Sequence, residues 1–440
     1  MTKFARVSAL ALASLAGLAS AQPVIEVPAK PTVIPEQTKP VEPQAAVSTL
    51  GADAAPKVTM VRVPEGGLQP SVVVDSHGTV HLVSLVGQDL NACDIQYRTR
   101  GKGDAEFGPA VRVNSQEHAA TGMGAMAGPR VAIGKDGTAH VVWIGSDLAE
   151  PRAKLDPKPR PRMLKDGAPL LYSRMQGTSA TPQRNLLKSA LIVDAGPAIL
   201  ATDKGRVLVF ANADQDLPMR NMEATRRIFM MESTDNGETF GNERIVQPTN
   251  NGATAQVPPV ATFDAKGRLQ LLYRAAGGNA VRSVCRIVSR DDGGSWLGGD
   301  VEVWRARAIP SSALAIAVRG ESLLGAWMTK EMNIAVGSLG RPDQPPSGVY
   351  TMPREVGPEG PRRDPVVLVN PAGFTLVAWT ALTLPADATA DQNAKPSLNW
   401  QTFDSEGKLI KGASGTVNDL PNATRAAGWV DADGSFRLIY

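Results

Sequence analysis

One spacing recurs along this chain and limits what it can become. A proline or small residue is followed eight positions later by glycine, with an alternating apolar segment between them and an almost wholly apolar segment after. The copies are Pro70 to Gly78, Pro129 to Gly137, Pro197 to Gly205, Pro259 to Gly267, Ser312 to Gly320, Pro365 to Gly373 and Ala426 to Gly434. Successive starts lie 59, 68, 62, 53, 53 and 61 residues apart. Such self-similarity marks a repeat architecture in which each unit buries its faces only against its neighbours.

Each copy reads as a β-hairpin, strand A running from the proline and strand B leaving the glycine turn. Glycine fits a turn position of positive φ, which only it adopts without steric cost. Strand B is apolar at nearly every position, as in His140-Val141-Val142-Trp143 and Leu376-Val377-Ala378-Trp379. Apolar side chains on both faces require burial on both faces. Radial blades packed between neighbours provide this, whereas a two-layer sandwich leaves one face of each sheet polar.

Weaker strands C and D follow, such as Arg227–Met231 and Glu243–Val246. The fold expected is therefore all-β, a β-propeller of four-stranded blades. Seven copies predict seven blades; six is the alternative, should Ser312 to Gly320, which lacks the proline, not form one. The last copy ends at Tyr440 after strand B, so Lys57–Val63 is expected to complete that blade and close the ring, leaving no free sheet edge.

Composition agrees with many short strands and tight turns: 42 Gly, 34 Pro and 42% hydrophobic residues in 440. Lys+Arg (46) nearly balances Asp+Glu (43), giving a net charge of +3 and no field to gather nucleic acid. At the N-terminus, Lys3 and Arg6 precede an apolar run from Val7 to Leu18 and then Ala19-Ser20-Ala21, a signal-peptide pattern with cleavage expected after Ala21. The protein is thus expected to be secreted or periplasmic, with no membrane span. Residues 1–21 form the signal, 22–56 a Pro-rich linker and 57–440 the propeller. Cys93 and Cys285 fall three repeats apart, too far for a disulfide, and are expected to be free thiols.

Two octapeptides stand between strands C and D of consecutive repeats. Ser233-Thr234-Asp235-Asn236-Gly237-Glu238-Thr239-Phe240 and Ser289-Arg290-Asp291-Asp292-Gly293-Gly294-Ser295-Trp296 both fit S-x-D-x-G-x-[ST]-[WF]. The carboxylate suits turn N–H groups, glycine the left-handed residue, and the aromatic a neighbouring strand. This pattern resembles the Asp-box, or BNR, repeat of sialidases, sortilin-type receptors, photosystem assembly factors and several glycan-processing propellers. The resemblance implies a structural role for Ser233, Asp235, Gly237, Thr239, Phe240, Ser289, Asp291, Gly293, Ser295 and Trp296, on the face opposite the binding site. It also implies a test: sialidases use three arginines, a tyrosine–glutamate pair and an aspartate, the first arginine two residues before the first repeat's proline. Leu68 occupies that place, while Arg363 stands two residues before Pro365. Of five tyrosines, Tyr273 and Tyr440 lie at the apolar ends of B strands.

Other motifs carry little chemistry. Gly122-Met123-Gly124-Ala125-Met126-Ala127 precedes a strand, the wrong context for a dinucleotide loop. Four histidines and two cysteines show no zinc spacing. His81 and His140 occupy equivalent repeat positions, which favours packing over metal ligation.

The ligand face of such a ring is formed by loops after strand B and before strand A. Long insertions occur there at 145–168, 212–225 and 381–395. Candidate ligand-binding residues are Arg130, Asp214, Asp216, Arg220, Arg274, Lys330, Glu331 and Arg363, for an anionic sugar or peptide carboxylate. Asp214 and Asp216 suit calcium by residue type, or are solvated loop carboxylates; no cofactor is required. Trp143 and Trp379 either stack on sugars or pack between blades. The expected partner is an extracellular glycan or protein, bound without catalysis. A sialidase-like glycoside hydrolase and an assembly factor are the alternatives.

Overall fold

The computed structural model describes residues 55–440, apart from 123–127, 151–166, 193–194, 215–222, 248, 255, 277–280, 292, 297–300, 308–311, 341–346, 353–355, 357–359, 384–394, 419 and 421–424. The expected signal peptide, nearly all of the expected linker, Asp216 and Arg220 lie outside the described residues.

Seven sheets form seven blades. Strands A to D of blade 1 are Leu68–Val74, Val80–Val86, Asp94–Arg100 and Val111–Arg112; of blade 2, Arg130–Ile133, Ala139–Ile144, Leu170–Gln176 and Arg184–Asn185. Blade 3 has Ala198–Ala201, Val207–Asp214, Arg227–Ser233 and Arg244–Ile245, and blade 4 Val260–Phe263, Leu269–Ala276, Val281–Ser289 and Val301–Arg307. Blade 5 has Ala315–Arg319, Ser322–Met328, Ile334–Ser338 and Ser347–Thr351, and blade 6 Arg362–Val369, Thr375–Thr383, Lys395–Phe403 and Leu409–Val417. Among the described residues blade 7 has three strands: Ala427–Val430, Phe436–Ile439 and the N-terminal Val58–Val61. The A strands touch one another in sequence right round the ring, blade 7 meeting blade 1, so they line the central axis.

The repeat spacing is realised in detail. All seven turn glycines have positive φ, from +55° at Gly320 to +85° at Gly373. Side chains close several of these turns: Asp75 Oδ1 accepts from the N–H groups of His77 and Thr79, and Asp264 Oδ1 from those of Lys266 and Arg268. The B strands of blades 2, 3 and 4 are buried at every residue. Seven apolar clusters result, one in each seam between neighbouring blades, as a repeat ring requires.

The expected ring closure is present, and one expectation is corrected. Val58–Val61 closes the ring, pairing parallel to Phe436–Ile439, Val58 opposite Phe436 and Val61 opposite Ile439. The outermost strand of each blade keeps an open edge, since closure joins blades around the axis and does not cover their rims. In blades 1 and 6 strand A starts before its proline. A register shift there gives Gln69 a φ of +51° and Asp364 one of +54°. These bulges reset the register of the residues that precede the proline.

The equivalent histidines are buried in hydrogen-bonded networks. His140 Nδ1 lies 2.7 Å from the Tyr172 hydroxyl, and its Nε2 3.2 Å from Asn236 Oδ1, in the octapeptide of blade 3. Asn236 Nδ2 donates to Thr138 Oγ1, so Oδ1 accepts and His140 carries its proton on Nε2. Burial, its largest cause, lowers the His140 pKa to about 4. His81 repeats the pattern, with Tyr97 at 2.6 Å and Asp75 at 3.2 Å. Both histidines lock turns to strands. Cys93 and Cys285 are buried and not joined in a disulfide, and burial pushes the Cys93 thiol up to about 12.

Candidate functional site

Strand A runs from the mouth carrying the loops before A and after B to the opposite face, where the octapeptides turn. Both octapeptides are built alike. Asp235 Oδ1 accepts from Ser233 Oγ (2.7 Å) and the Thr239 N–H (2.9 Å), while Oδ2 accepts from Thr239 Oγ1 (2.6 Å). Ser233 Oγ in turn accepts the N–H of Gly237, whose φ is +76°. Ser289, Asp291, Gly293 and Ser295 repeat every one of these contacts. Hydrogen bonds from Thr239 hold the Asp235 carboxyl at about 2, and those from Ser295 hold Asp291 well below the usual range. Phe240 packs edge-on against Tyr172, and Trp296 against Phe210, each on the preceding blade. These carboxylates are engaged within their own turns, and the aromatic residues that end the octapeptides pack across the seams.

The opposite mouth holds a different arrangement. Arg130 opens strand A of blade 2, Arg425 precedes strand A of blade 7, and Arg363 lies in strand A of blade 6. Blades 6, 7, 1 and 2 are consecutive, so three guanidinium groups form an arc around the axis, with Gln69 of blade 1 between them. Each keeps some solvent contact while protein surrounds the rest. Burial and the Arg425 charge draw the Arg130 pKa down to about 9, and burial lowers that of Arg425. Both stay charged at neutral pH, with their charge incompletely compensated.

Among the described residues one buried carboxylate faces this arc. Asp364 is 3% exposed, lies 3.5 Å from Arg363 Nε, and is the charge that favours protonated Arg425. Its Oδ1 accepts the Ala313 N–H and its own N–H donates to Ser312 Oγ, both at 3.0 Å. Blade 5 therefore fixes the carboxylate that orients two arginines of blades 6 and 7. One carboxylate cannot neutralise three guanidinium groups. Arg425 Nη1 in particular is buried without a hydrogen-bond partner among the described residues, a donor that an incoming anion would satisfy.

Of the sequence-predicted residues, the arc brings Arg130 and Arg363 together; the others lie apart. Asp214, 1% exposed at the end of strand B in blade 3, accepts from Thr225 Oγ1 at 2.8 Å. Among the described residues no group of three or more His, Cys, Asp or Glu stands together to hold a metal. Arg274 is buried in blade 4, its pKa drawn down to about 10 by burial and then by Arg282, which itself pairs with Glu223. Lys330 and Glu331 face each other at 3.6 Å in an exposed turn of blade 5. Trp143 and Trp379 are fully buried between blades and offer no sugar platform.

Arg425 and Asp364 were not identified from the sequence. Comparing the residues beside all seven strand-A starts would have found them: Arg425 immediately precedes Ala426, and Asp364 immediately precedes Pro365. No tyrosine joins the arc. The hydroxyls of Tyr97 and Tyr172 meet histidines, that of Tyr273 donates to Asn251 Oδ1 at 3.1 Å, Tyr350 stands on the outer strand of blade 5, and Tyr440 lies beneath Arg62.

No family model matches the sequence, and no curated protein matches it. Among solved structures the chain is similar to an α-L-arabinofuranosidase from Fusarium graminearum (11% identity, 78% of this chain and 97% of that chain, TM-score 0.49). It is also similar to an α-L-arabinanase from Penicillium chrysogenum (12%, 79% and 96%, 0.49) and to a Hadza microbial sialidase (12%, 78% and 73%, 0.47). At that identity and score, function rests on the site, and the fold rests on the seven sheets and their ring of A strands: the chain is a seven-bladed β-propeller.

Proposed function

We propose that this propeller is an exported binding protein for acidic glycans, holding a carboxylate or sulfate group at the axial mouth. The observation that carries the proposal is the arc of Arg130, Arg363 and Arg425 around one carboxylate, Asp364, with a buried Arg425 donor left unpaired. Positive charge in a partly desolvated mouth favours an anion far more strongly than the same charge on an open surface, because solvent screens it less. Bidentate geometry suits planar carboxylates and sulfates alike.

Binding without turnover is favoured over sialidase-type hydrolysis by the placement of the tyrosines. A tyrosine nucleophile would have to stand at the arc, and all five are engaged elsewhere. Asp364 is tied into backbone and arginine contacts, which suits orientation of the arc. The test is an array of acidic and neutral glycans, run beside a panel of fluorogenic glycosides. Retention of uronate-, sialate- or sulfate-bearing glycans without turnover supports the proposal. Turnover of an acidic glycoside that Arg425→Gln abolishes would replace it with the hydrolase reading. Retention of neutral glycans alone would remove it.

A further inference from the structure

A second site lies on the other face, in the seam between blades 5 and 6. There a cavity of about 370 Å³ opens beside the turns that join strands A to B and C to D. That volume falls at the small end of the roughly 300–1,000 Å³ typical of small-molecule sites. Its walls include Arg319, Tyr350, Thr375, Phe403 and Gly407.

Three features give this cavity a chemical preference. The guanidinium of Arg319, the last residue of strand A in blade 5, makes no hydrogen bond or ion pair to another described residue, while Glu406, which also lines the cavity, pairs with Lys408 at 2.5 Å. Arg319, Glu406 and Lys408 together therefore leave one net positive charge at the cavity. Tyr350 and Phe403 form a wall, edge to face with ring centroids 5.4 Å apart, that presents aromatic surface from both blades. Thr375 is 2% exposed, and its hydroxyl has no hydrogen-bond partner among the described residues.

The backbone is shaped around the arginine. Gly407 sits in the C–D turn of blade 6 with a φ of +83°, and a Cβ at this position would lie 2.9 Å from Arg319 Nη1. A side chain at 407 would strain the turn and press on the guanidinium.

We infer that this seam cavity binds a small organic anion with a flat apolar body, its anionic group on Arg319 and its ring against Tyr350 and Phe403. The site shares blades 5 and 6 with the axial arc but is separate from it in face and residues. It is tested with 2-naphthoate as probe and 2-naphthamide, its neutral isostere, as control, by titration calorimetry on the full chain. The expected result is one saturable site that prefers naphthoate by about tenfold, the order expected of a charge-assisted pair. Arg319→Gln removes that preference, Gly407→Ala and Thr375→Val weaken naphthoate binding, and Arg425→Gln leaves it unchanged. Melting curves confirm that each variant is folded, and Thr375→Val serves if Arg319→Gln is not. Equal binding of naphthoate and naphthamide, a preference that survives Arg319→Gln, or a preference lost in Arg425→Gln would overturn the inference.

Discussion

Arg100 of blade 1 donates a hydrogen bond of 2.8 Å to Asp431 of blade 7, joining residues 331 positions apart across the seam where the ring closes. The guanidinium also lies 5.1 Å from the Trp429 ring centroid, and Asp431 accepts from Trp429 Nε1 and Arg437 Nε as well. The first and last blades are thus held by a charge cluster as well as by the parallel strand Val58–Val61.

Removing the acceptor should open that seam. Asp431→Asn leaves two arginines without their shared carboxylate, and partial burial makes the loss cost about 2–3 kcal/mol. Urea denaturation monitored by tryptophan fluorescence measures it. An unchanged midpoint would show that the strand pairing alone closes the ring.

Arg425→Gln should behave in the opposite sense. The burial that lowers the Arg425 pKa means that the folded protein holds this charge at a cost. Neutralising it should leave stability unchanged or raise it by up to about 1 kcal/mol, as is common where a functional group opposes the fold. A loss of more than about 1 kcal/mol would identify Arg425 as a structural residue.

Acid should weaken the fold before most carboxylates titrate. His140 has a folded pKa of about 4 against an ordinary value of 6.5, so between those values the unfolded chain binds the additional proton. Its contribution is complete above pH 6.5 and is lost as pH falls toward 4, amounting to about 3 kcal/mol. His81, also lowered by burial, adds to the same slope. Stability measured from pH 7 to 4.5 should decline in wild type and much less in His140→Gln; equal slopes would contradict the assignment.

The octapeptide turns should affect stability but not binding. Asp235→Ala removes the acceptor for three hydrogen bonds in a solvent-facing turn, a loss of about 1–2 kcal/mol. Affinity for an acidic glycan should stay within about twofold, because the arc lies on the other face. A parallel loss of affinity would place the binding site wrongly.

The hairpins were legible because their signals are local: a glycine turn and a strand B that is largely apolar, repeated seven times. The direction of Val58–Val61 was not, since the sequence of one strand does not state which way its partner runs. Seam contacts were hidden for a related reason. Asn236 reaches His140 across 96 positions, and nothing near either residue marks the other. The arc was half visible. Arg130 and Arg363 stand beside prolines that announce a strand start, whereas Arg425 precedes the one strand-A copy that begins with alanine, and Asp364 reads as a turn residue until its bulge is seen.

The most direct test of the account is calorimetric titration of wild type and Arg425→Gln with a glucuronate-terminated oligosaccharide and with the same oligosaccharide after reduction of its carboxyl group. The arc predicts that wild type binds the acid at least about tenfold more tightly than the reduced form, and that Arg425→Gln abolishes the difference. Equal affinity of wild type for the two forms, or a preference for the acid that persists in Arg425→Gln, would contradict it.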